Sequence, residues 1–354
     1  MPAVKSPVRH GWQRVRSFMP GVALAGGLGC TAIELSKLAW CQANGVSALT
    51  LAIVLGTIVG NTFHPHIAAA SAAGVAISKQ QLLRLGIILY GLRLTFQDIG
   101  HVGMAGVVID LSMVCSTFGL AWLIGTRLMG LDRTTAMLIG AGSAICGAAA
   151  VMAVEPVVRG RTEQVTIAVS TVVLFGTLAM FLEPVLYHMN ARYLGVLLSP
   201  AAYGIFVGST VHEVAQVVAA GHAISDAAAT TAVITKMVRV MMLAPFLIAL
   251  SSYLSRTQDV SQVNRIVIPW FALGFVAVAG LNSLAWLPKS MTDAAIDVDT
   301  LVLATAMAAL GLTTRLAAIR SAGVRPLALA ALLFLWLICG GIAINVGVIK
   351  EFFT

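Results

Sequence analysis

Apolar residues run along this chain in blocks of about twenty, the length a helix needs to cross a bilayer at ~1.5 Å rise per residue. Short stretches holding charged, glycine and proline positions separate the blocks. Eleven candidate spans follow, near 21–38, 47–61, 81–98, 103–126, 133–153, 164–187, 200–221, 227–252, 265–286, 298–315 and 326–348. They occupy roughly two thirds of the chain and leave no room for a soluble domain. The second is short and fits a tilted or partly inserted helix. Several boundaries carry local signals. Asp132 is placed to cap the fifth span. Ser199-Pro200 is a helix start, with a capping hydroxyl before a proline at the first helical position. Ser225 and Asp226 can cap the eighth span, and Pro288 closes the ninth. The expected fold is all-α: a polytopic membrane protein of about ten or eleven transmembrane helices. A basic cytoplasmic N-terminus would cover 1–20, one transmembrane domain 21–348, and a short tail 349–354.

Composition sharpens this picture. Hydrophobic residues make up 59% of the 354 positions and charged ones 10%, against roughly 25% charged in soluble proteins. Mean hydropathy is +0.94. Too few charges exist to coat a water-exposed surface, which excludes a soluble enzyme, a nucleic-acid-binding domain and a disordered chain. The +8 net charge is spread through the loops rather than gathered in one block. It therefore reads as a set of topology determinants. The five cysteines (Cys30, Cys41, Cys115, Cys146, Cys339) are scattered, without a CxxC, and suggest neither disulfides nor zinc. Lys5, Arg9, Arg14 and Arg16 precede an apolar run, but Glu34 and Lys37 follow it, so the run reads as a first membrane or interfacial helix rather than a cleaved leader.

With the N-terminus in the cytoplasm and each span crossing once, Lys79, Arg127, Arg133, Arg192, Arg256, Arg265, Arg315, Arg320 and Arg325 join the N-terminal cations inside. Lys289 and the acidic positions Asp293, Asp297 and Asp299 fall outside, as positive-inside insertion requires. Arg159 and Arg161 also fall outside and fit worst, so the fifth span is the one expected not to cross simply.

An internal repeat is also expected. Gly91-Leu92 followed by Phe96, Ile99 and Gly103 matches Gly311-Leu312 followed by Leu316, Ile319 and Gly323. The two copies, over about 47–187 and 200–348, would run in opposite directions, an inverted repeat of the kind common in secondary transporters.

Two spans are interrupted by small and polar residues: Gly140 to Gly147 in the fifth, and Gly204, then Gly208-Ser209-Thr210-Val211-His212-Glu213, in the seventh. Broken helices at membrane depth are tolerated where they line a cavity or are covered by protein. An exposed helix N-terminus at such a break suits an anion. Close packing through small residues is the plainer alternative. Ionisable residues within apolar spans point further: Arg93, Asp110, Glu183, His212, Glu213, Lys236 and Arg239. Each costs roughly 2.5–3.5 kcal/mol at mid-membrane. Lys236 and Arg239 share one helix face near the middle of their span. Arg93 and Glu183 lie nearer span ends, within reach of the interface. Internal pairing would satisfy these charges, Glu213 with Lys236 or Arg239 and Asp110 with Arg93, but two cations against one carboxylate still leave positive charge for a substrate. A zinc site fails because position 216 is Gln where a second His is needed. His212 could instead carry a coupling proton.

Taken together, Gly91-Leu92-Arg93-Leu94, Gly142-Ser143-Ala144-Ile145-Cys146-Gly147, Val211-His212-Glu213-Val214-Ala215-Gln216, Lys236-Met237-Val238-Arg239, Leu243-Ala244-Pro245, Pro269-Trp270-Phe271 and Gly311-Leu312 resemble the YeiH-type family of bacterial inner-membrane proteins, which carry a sulfate-exporter label. The resemblance spans about residues 20–348. It implies inverted repeats, a panel and a core, and crossed broken helices at 142–147 and 208–213. Crossed partners should oppose each other, whereas the span count gives these two the same direction; Gly311 in the tenth span is the other candidate partner. The expected activity is alternating-access transport of a small anion such as sulfate. Ser143, Cys146, Ser209, Thr210, Lys236 and Arg239 would bind it, and His212, Glu213 and Asp110 would couple a proton or sodium ion. A cation/proton antiporter using Asp110 or Glu213 is the alternative, and a membrane-embedded enzyme or structural protein a third reading. No enzymatic step, cofactor, metal or nucleic acid is expected; the lipid bilayer and a second copy of the chain are the macroscopic partners considered.

Overall fold

A computed structural model describes residues 7–43, 47–62, 64–193, 199–257, 270–284, 286–314 and 323–353. All regular structure among them is helical. In chain order the α-helices longer than two turns are α1 (Pro7–Ser36), α2 (Ala48–Thr62), α3 (His64–Ile77), α4 (Leu83–Tyr90), α5 (Phe96–Leu123), α6 (Arg133–Ala144), α7 (Ala148–Val158), α8 (Thr162–Tyr193), α9 (Pro200–Thr210), α10 (Val214–His222), α11 (Asp226–Met241), α12 (Leu243–Thr257), α13 (Trp270–Ser283), α14 (Lys289–Thr313) and α15 (Val324–Phe353). Six helical stretches among them are long and apolar enough to cross a membrane. The helix α1 starts at Pro7, well before the apolar run that announces it in the sequence. Pro288 stands at the head of α14.

The chain divides into two compact units, Met1–Arg93 with Gly274–Leu316, and Leu94–Leu273 with Ala317–Thr354. In the first unit α2 and α14 touch backbone to backbone. A Cβ on Gly311 would stand 2.8 Å from Thr57 N, so only glycine admits the approach. Gly311 therefore lies inside an unbroken helix and is not a partner for either interrupted span. Arg93 is held here by Asp299, not by Asp110: its Nε donates to Asp299 Oδ2 at 3.1 Å, and Nη2 to Thr300 Oγ1 at 2.8 Å. Asp299, placed by the sequence at the outer end of the tenth span, is buried within α14.

In the second unit the matched glycines behave alike. Gly103 (φ +44°) and Gly323 (φ +82°) both adopt backbone angles that L side chains rarely take; Gly103 kinks α5 after its first two turns and the long remainder of the helix follows, while Gly323 immediately precedes α15. Those helices, α5 and α15, pack antiparallel: Leu329 lies near Gly125, and Trp336 Nε1 donates to Ser116 Oγ at 3.2 Å. The repeat therefore feeds two helices of opposite direction. The interrupted segments do not hold matching places in the two copies, since one directly follows α5 and four helices, α11 to α14, stand between the other and α15.

The fifth and seventh apolar segments turn back instead of crossing. Asp132 caps α6, accepting from Thr134 N at 2.9 Å and Thr135 N at 3.2 Å. Its Oδ1 also accepts from Gln164 Nε2 at 3.0 Å, at the start of α8. Residues 132 and 164 would be about 48 Å apart on a straight helix; hence α6 and α7 form a re-entrant hairpin. The second hairpin, α9–α10, begins at Ser199, whose hydroxyl accepts from Ala202 N at 3.2 Å. Near its start, Ala201 O accepts from Thr231 Oγ1 at 2.7 Å; near its end, a Cβ on Gly221 would lie 2.5 Å from Ala229 Cα. Both ends of this hairpin thus sit against the first turns of α11.

The hairpins enter from opposite ends of α8, which spans 32 residues, or about 48 Å. The first opens beside the N-terminus of α8; the second opens beside its C-terminus, where the rings of Tyr187 and Tyr203 lie 4.9 Å apart. This removes the direction problem left by counting each segment as a crossing. It also moves Arg159 and Arg161 to the end of the unit that carries Arg127 and Arg133. Arg325 joins them, 3.7 Å from where a Gly130 Cβ would stand, and Tyr253 of α12 packs over Arg133. One end of this unit is therefore strongly basic, which by the positive-inside rule is the cytoplasmic end.

Candidate functional site

The hairpin tips meet halfway along α8. On the first tip the helix ends at Ala144, and Ile145 (φ −120°, ψ −82°) breaks it. Gly147 (φ +73°, ψ −139°) then redirects the chain into α7. On the second tip Val211 (φ −65°, ψ 141°) and Glu213 (φ −106°, ψ 147°) are extended, between α9 and α10. The first tip lies near Val172, which a Cβ on Gly142 would approach to 2.7 Å. The second lies near Thr177, whose Oγ1 is 3.4 Å from Gln216 Nε2.

Lys236 and Arg239, both 0% exposed, tie the two tips together from α11. Lys236 Nζ donates to Ile145 O at 2.8 Å and to Val211 O at 2.6 Å. Arg239 donates through Nε to Ala144 O at 2.6 Å, through Nη1 to Ser209 O at 2.5 Å, and through Nη2 to Ser143 O at 3.2 Å. Every one of these acceptors ends a half-helix, where unpaired carbonyls and the negative end of the helix dipole gather. Among the described residues no ion pair joins Glu213 to either cation; carbonyl ligation stands where the alternative of internal pairing would have put a carboxylate. A lysine ammonium has three N–H donors and a guanidinium five. These five bonds leave one donor on Lys236 and two on Arg239.

Glu213 caps helices instead. It heads α10 in a capping box with Gln216, whose Oε1 accepts from Glu213 N at 3.1 Å. Its Oε1 also accepts from Ala148 N, at 3.4 Å, the first residue of α7 in the other hairpin. One carboxylate thus serves two helix N-termini.

The remaining sequence candidates divide. Ser209 donates to Phe206 O at 3.0 Å and accepts from Asn345 Nδ2 at 3.1 Å. Thr210 bonds Glu183 rather than facing open space. Ser143 and His212 are buried, and Ser143 Oγ and His212 Nδ1 have no hydrogen-bond partner among the described residues. Cys146 is buried at the first tip. Asp110 on α5 is fully buried, its carboxyl oxygens have no hydrogen-bond partner among the described residues, and it feels the charges of Arg239 and Lys236.

Two buried residues beside the site were left out by sequence reasoning. Asn345 of α15 is a lone amide in an apolar run; its Nδ2 also donates to Gly341 O at 2.8 Å. Glu183, read from sequence as reaching the interface, is 1% exposed. Its signal was the following Pro184, which lacks an N–H and marks a local break in the ladder of α8.

A protein-family model described as Conserved hypothetical protein 698 matches residues 20–330. A UPF0324 membrane protein of Pseudomonas aeruginosa is 61% identical over 342 residues, covering 95% of this chain and 96% of its own. The UPF0324 inner membrane protein YeiH of Salmonella typhimurium is 53% identical, over 93% of this chain and 94% of its own. That of Escherichia coli K12 is 52% identical, over 93% of each. A multi-pass helical chain alike to these along nearly its whole length belongs to the YeiH-type UPF0324 family of membrane proteins.

Proposed function

We propose that the chain is a secondary transporter of a small anion, working in the bacterial inner membrane and catalysing no chemical step. The observation that carries this reading is the pair Lys236 and Arg239. They are buried at the meeting of two opposed re-entrant hairpins, have no carboxylate partner among the described residues, and keep N–H donors in reserve. An intramembrane cation that is not spent on an anion of the protein is suited to one from solution. Sulfate, a small oxyanion with several acceptors, fits the three remaining donors and the hydroxyl of Ser143. Alternating access would come from one hairpin loosening from α11 while the other stays clasped. The test is labelled sulfate flux in proteoliposomes, with Lys236→Ala as comparison. Flux that disappears in the variant supports the reading; equal flux, or no flux of any anion tried, removes it.

A second reading, cation/proton antiport, is favoured by Asp110, a fully buried carboxyl whose oxygens have no hydrogen-bond partner among the described residues. Flux that follows sodium or pH, needs no anion and is lost in Asp110→Asn would select it.

A further inference from the structure

Glu183 sits where the second hairpin meets α8. Its backbone carbonyl accepts from Tyr203 OH at 2.9 Å, which fixes the start of α9. Its side chain reaches the other end of α9: Thr210 Oγ1 lies 2.9 Å from Glu183 Oε1. The same Thr210 oxygen lies 2.6 Å from Phe206 O. Here the hydrogens can be counted. A threonine hydroxyl has a single hydrogen, and an ionised carboxylate and a carbonyl only accept. With Glu183 ionised, two acceptors compete for one hydrogen. With Glu183 neutral, its O–H donates to Thr210, and Thr210 donates to Phe206 O, so each contact holds one hydrogen. The second carboxyl oxygen agrees with this. Oε2 is buried without a hydrogen-bond partner among the described residues. That is tolerable for the carbonyl oxygen of an acid and costly for a charged oxygen. The groups facing Glu183 do not offer an ion pair. Tyr203 is engaged with the backbone, Tyr187 lies on the same helix, and the charges of Lys236 and Arg239 on α11 are held by the hairpin carbonyls.

We propose that Glu183 is a proton-binding site: the neutral acid donates to Thr210 and latches the second hairpin to α8, and departure of the proton releases the latch. Thr210 is the last residue of α9, one before Val211, whose carbonyl binds Lys236. A proton on Glu183 and a solute on Lys236 therefore act on the same tip. The side chains hydrogen-bonded to Glu183 are the hydroxyls of Thr210 and Tyr203, neither of which is a base at neutral pH; the proton therefore leaves through water, in a conformer that hydrates this part of α8. The proton movement is thereby tied to the movement of the hairpin. That consequence rests on the transport reading; the protonation itself does not.

Two measurements on the full-length protein separate them. Infrared difference spectroscopy of the purified protein at neutral pH should show the carbonyl stretch of a buried carboxylic acid, retained in Asp110→Asn and lost in Glu183→Gln. A spectrum without that band, or one that Glu183→Gln leaves unchanged, overturns the proposal whatever the protein transports. In proteoliposomes, Glu183→Gln keeps a donor for Thr210 but no exchangeable proton. It should still exchange labelled for unlabelled sulfate while losing accumulation driven by a pH gradient, with a flattened pH profile. Gradient-driven accumulation equal to wild type would refute the coupling. Absence of sulfate movement in the wild type would count against the transport reading alone, and the infrared result would still decide the proton site.

Discussion

Gly147→Ala tests whether the two hairpin tips meet as described. The substitution does two separable things. Gly147 has φ +73° and ψ −139°, a region that is strained for any residue with a Cβ; holding alanine there costs about 1–3 kcal/mol. The new methyl would also overlap Glu213 Cγ and stand 3.1 Å from its Oε1. Glu213 must then move off the Ala148 N–H. A hydrogen bond to a charged group is worth about 1.5–3 kcal/mol, but at 3.4 Å the lower end applies. The sum is about 3 kcal/mol, which for a unit of this size lowers the melting temperature by about 6–12 °C. Thermal unfolding in detergent measures it. The control is Gly119→Ala on α5, where an added Cβ meets nothing within 4 Å; it should melt at or above wild type, since alanine favours a helix by about 1 kcal/mol over glycine. Adding Glu213→Ala to Gly147→Ala separates the parts, because it relieves the overlap and leaves the backbone strain. Melting of Gly147→Ala at the wild-type temperature would refute the tip geometry and with it the contact between hairpins.

The other predictions concern topology, the clasp and the cap. In a background without native cysteines, Arg127→Cys and Arg161→Cys should react with an impermeant maleimide from the same side of the membrane and Ser199→Cys from the other; labelling of Arg161→Cys from the side opposite Arg127→Cys, with Ser199→Cys on the side of Arg127→Cys, would restore a simple crossing for residues 133–158. Arg239→Lys keeps the charge but cannot reproduce a fork that reaches three carbonyls; leaving buried carbonyls unpaired at about 1–3 kcal/mol each should lower the melting temperature and abolish flux, and wild-type behaviour would show that charge alone suffices. At Asp132, partial burial works to raise the carboxyl, but hydrogen bonds from Thr135, Gln164 and Thr134 outweigh it and hold it below its ordinary value. Its contribution is present above the unfolded value near ~3.9 and lost as pH falls through the lower folded value. Asp132→Ala should therefore lose the cap's worth, about 0.5–2 kcal/mol, evenly between pH 5 and 8, and the gap to wild type should narrow only on strong acidification; a gap that closes near pH 7 would contradict the assignment.

Much of this arrangement was legible in the chain because its signals are local. Asp132, Ser199 and Ser225 cap where their side chains say they should. The glycine-rich interruptions break the helices within a few residues of the expected places, because no tertiary contact is needed to weaken a helix there. Direction was not legible. A half-helix of 11 or 12 residues followed by another has the same length and hydropathy whether it continues across or folds back. Only a long-range bond such as Gln164 to Asp132 decides it, although the misplaced positive charge of Arg159 and Arg161 was a trace of it. The partners of the two cations were not legible for a related reason. Sequence shows which residues carry formal charge and hides the backbone carbonyls that a broken helix frees, so only carboxylates could be weighed as partners for cations that helix ends hold.

That exchange of partners bears on how the site works. Two half-helices that end tip to tip bring together two negative dipole ends, each equivalent to roughly half a charge. Without compensation they would repel, and their free carbonyls would be costly in a water-poor interior. Lys236 and Arg239 neutralise both tips at once, while Glu213 serves the two N-termini that leave the crossing. By that count the two tips offset about one of the two positive charges and Glu213 offsets the two N-termini, so about one positive charge is left at the crossing. On the transport reading, an anion would not have to displace an ion pair here. It would first engage the remaining donors of Lys236 and Arg239, and any further donor it took would come from a bond that ties a hairpin tip. Binding and loosening would then draw on the same few hydrogen bonds, and occupancy of the site would itself act on the hairpins without a separate linkage.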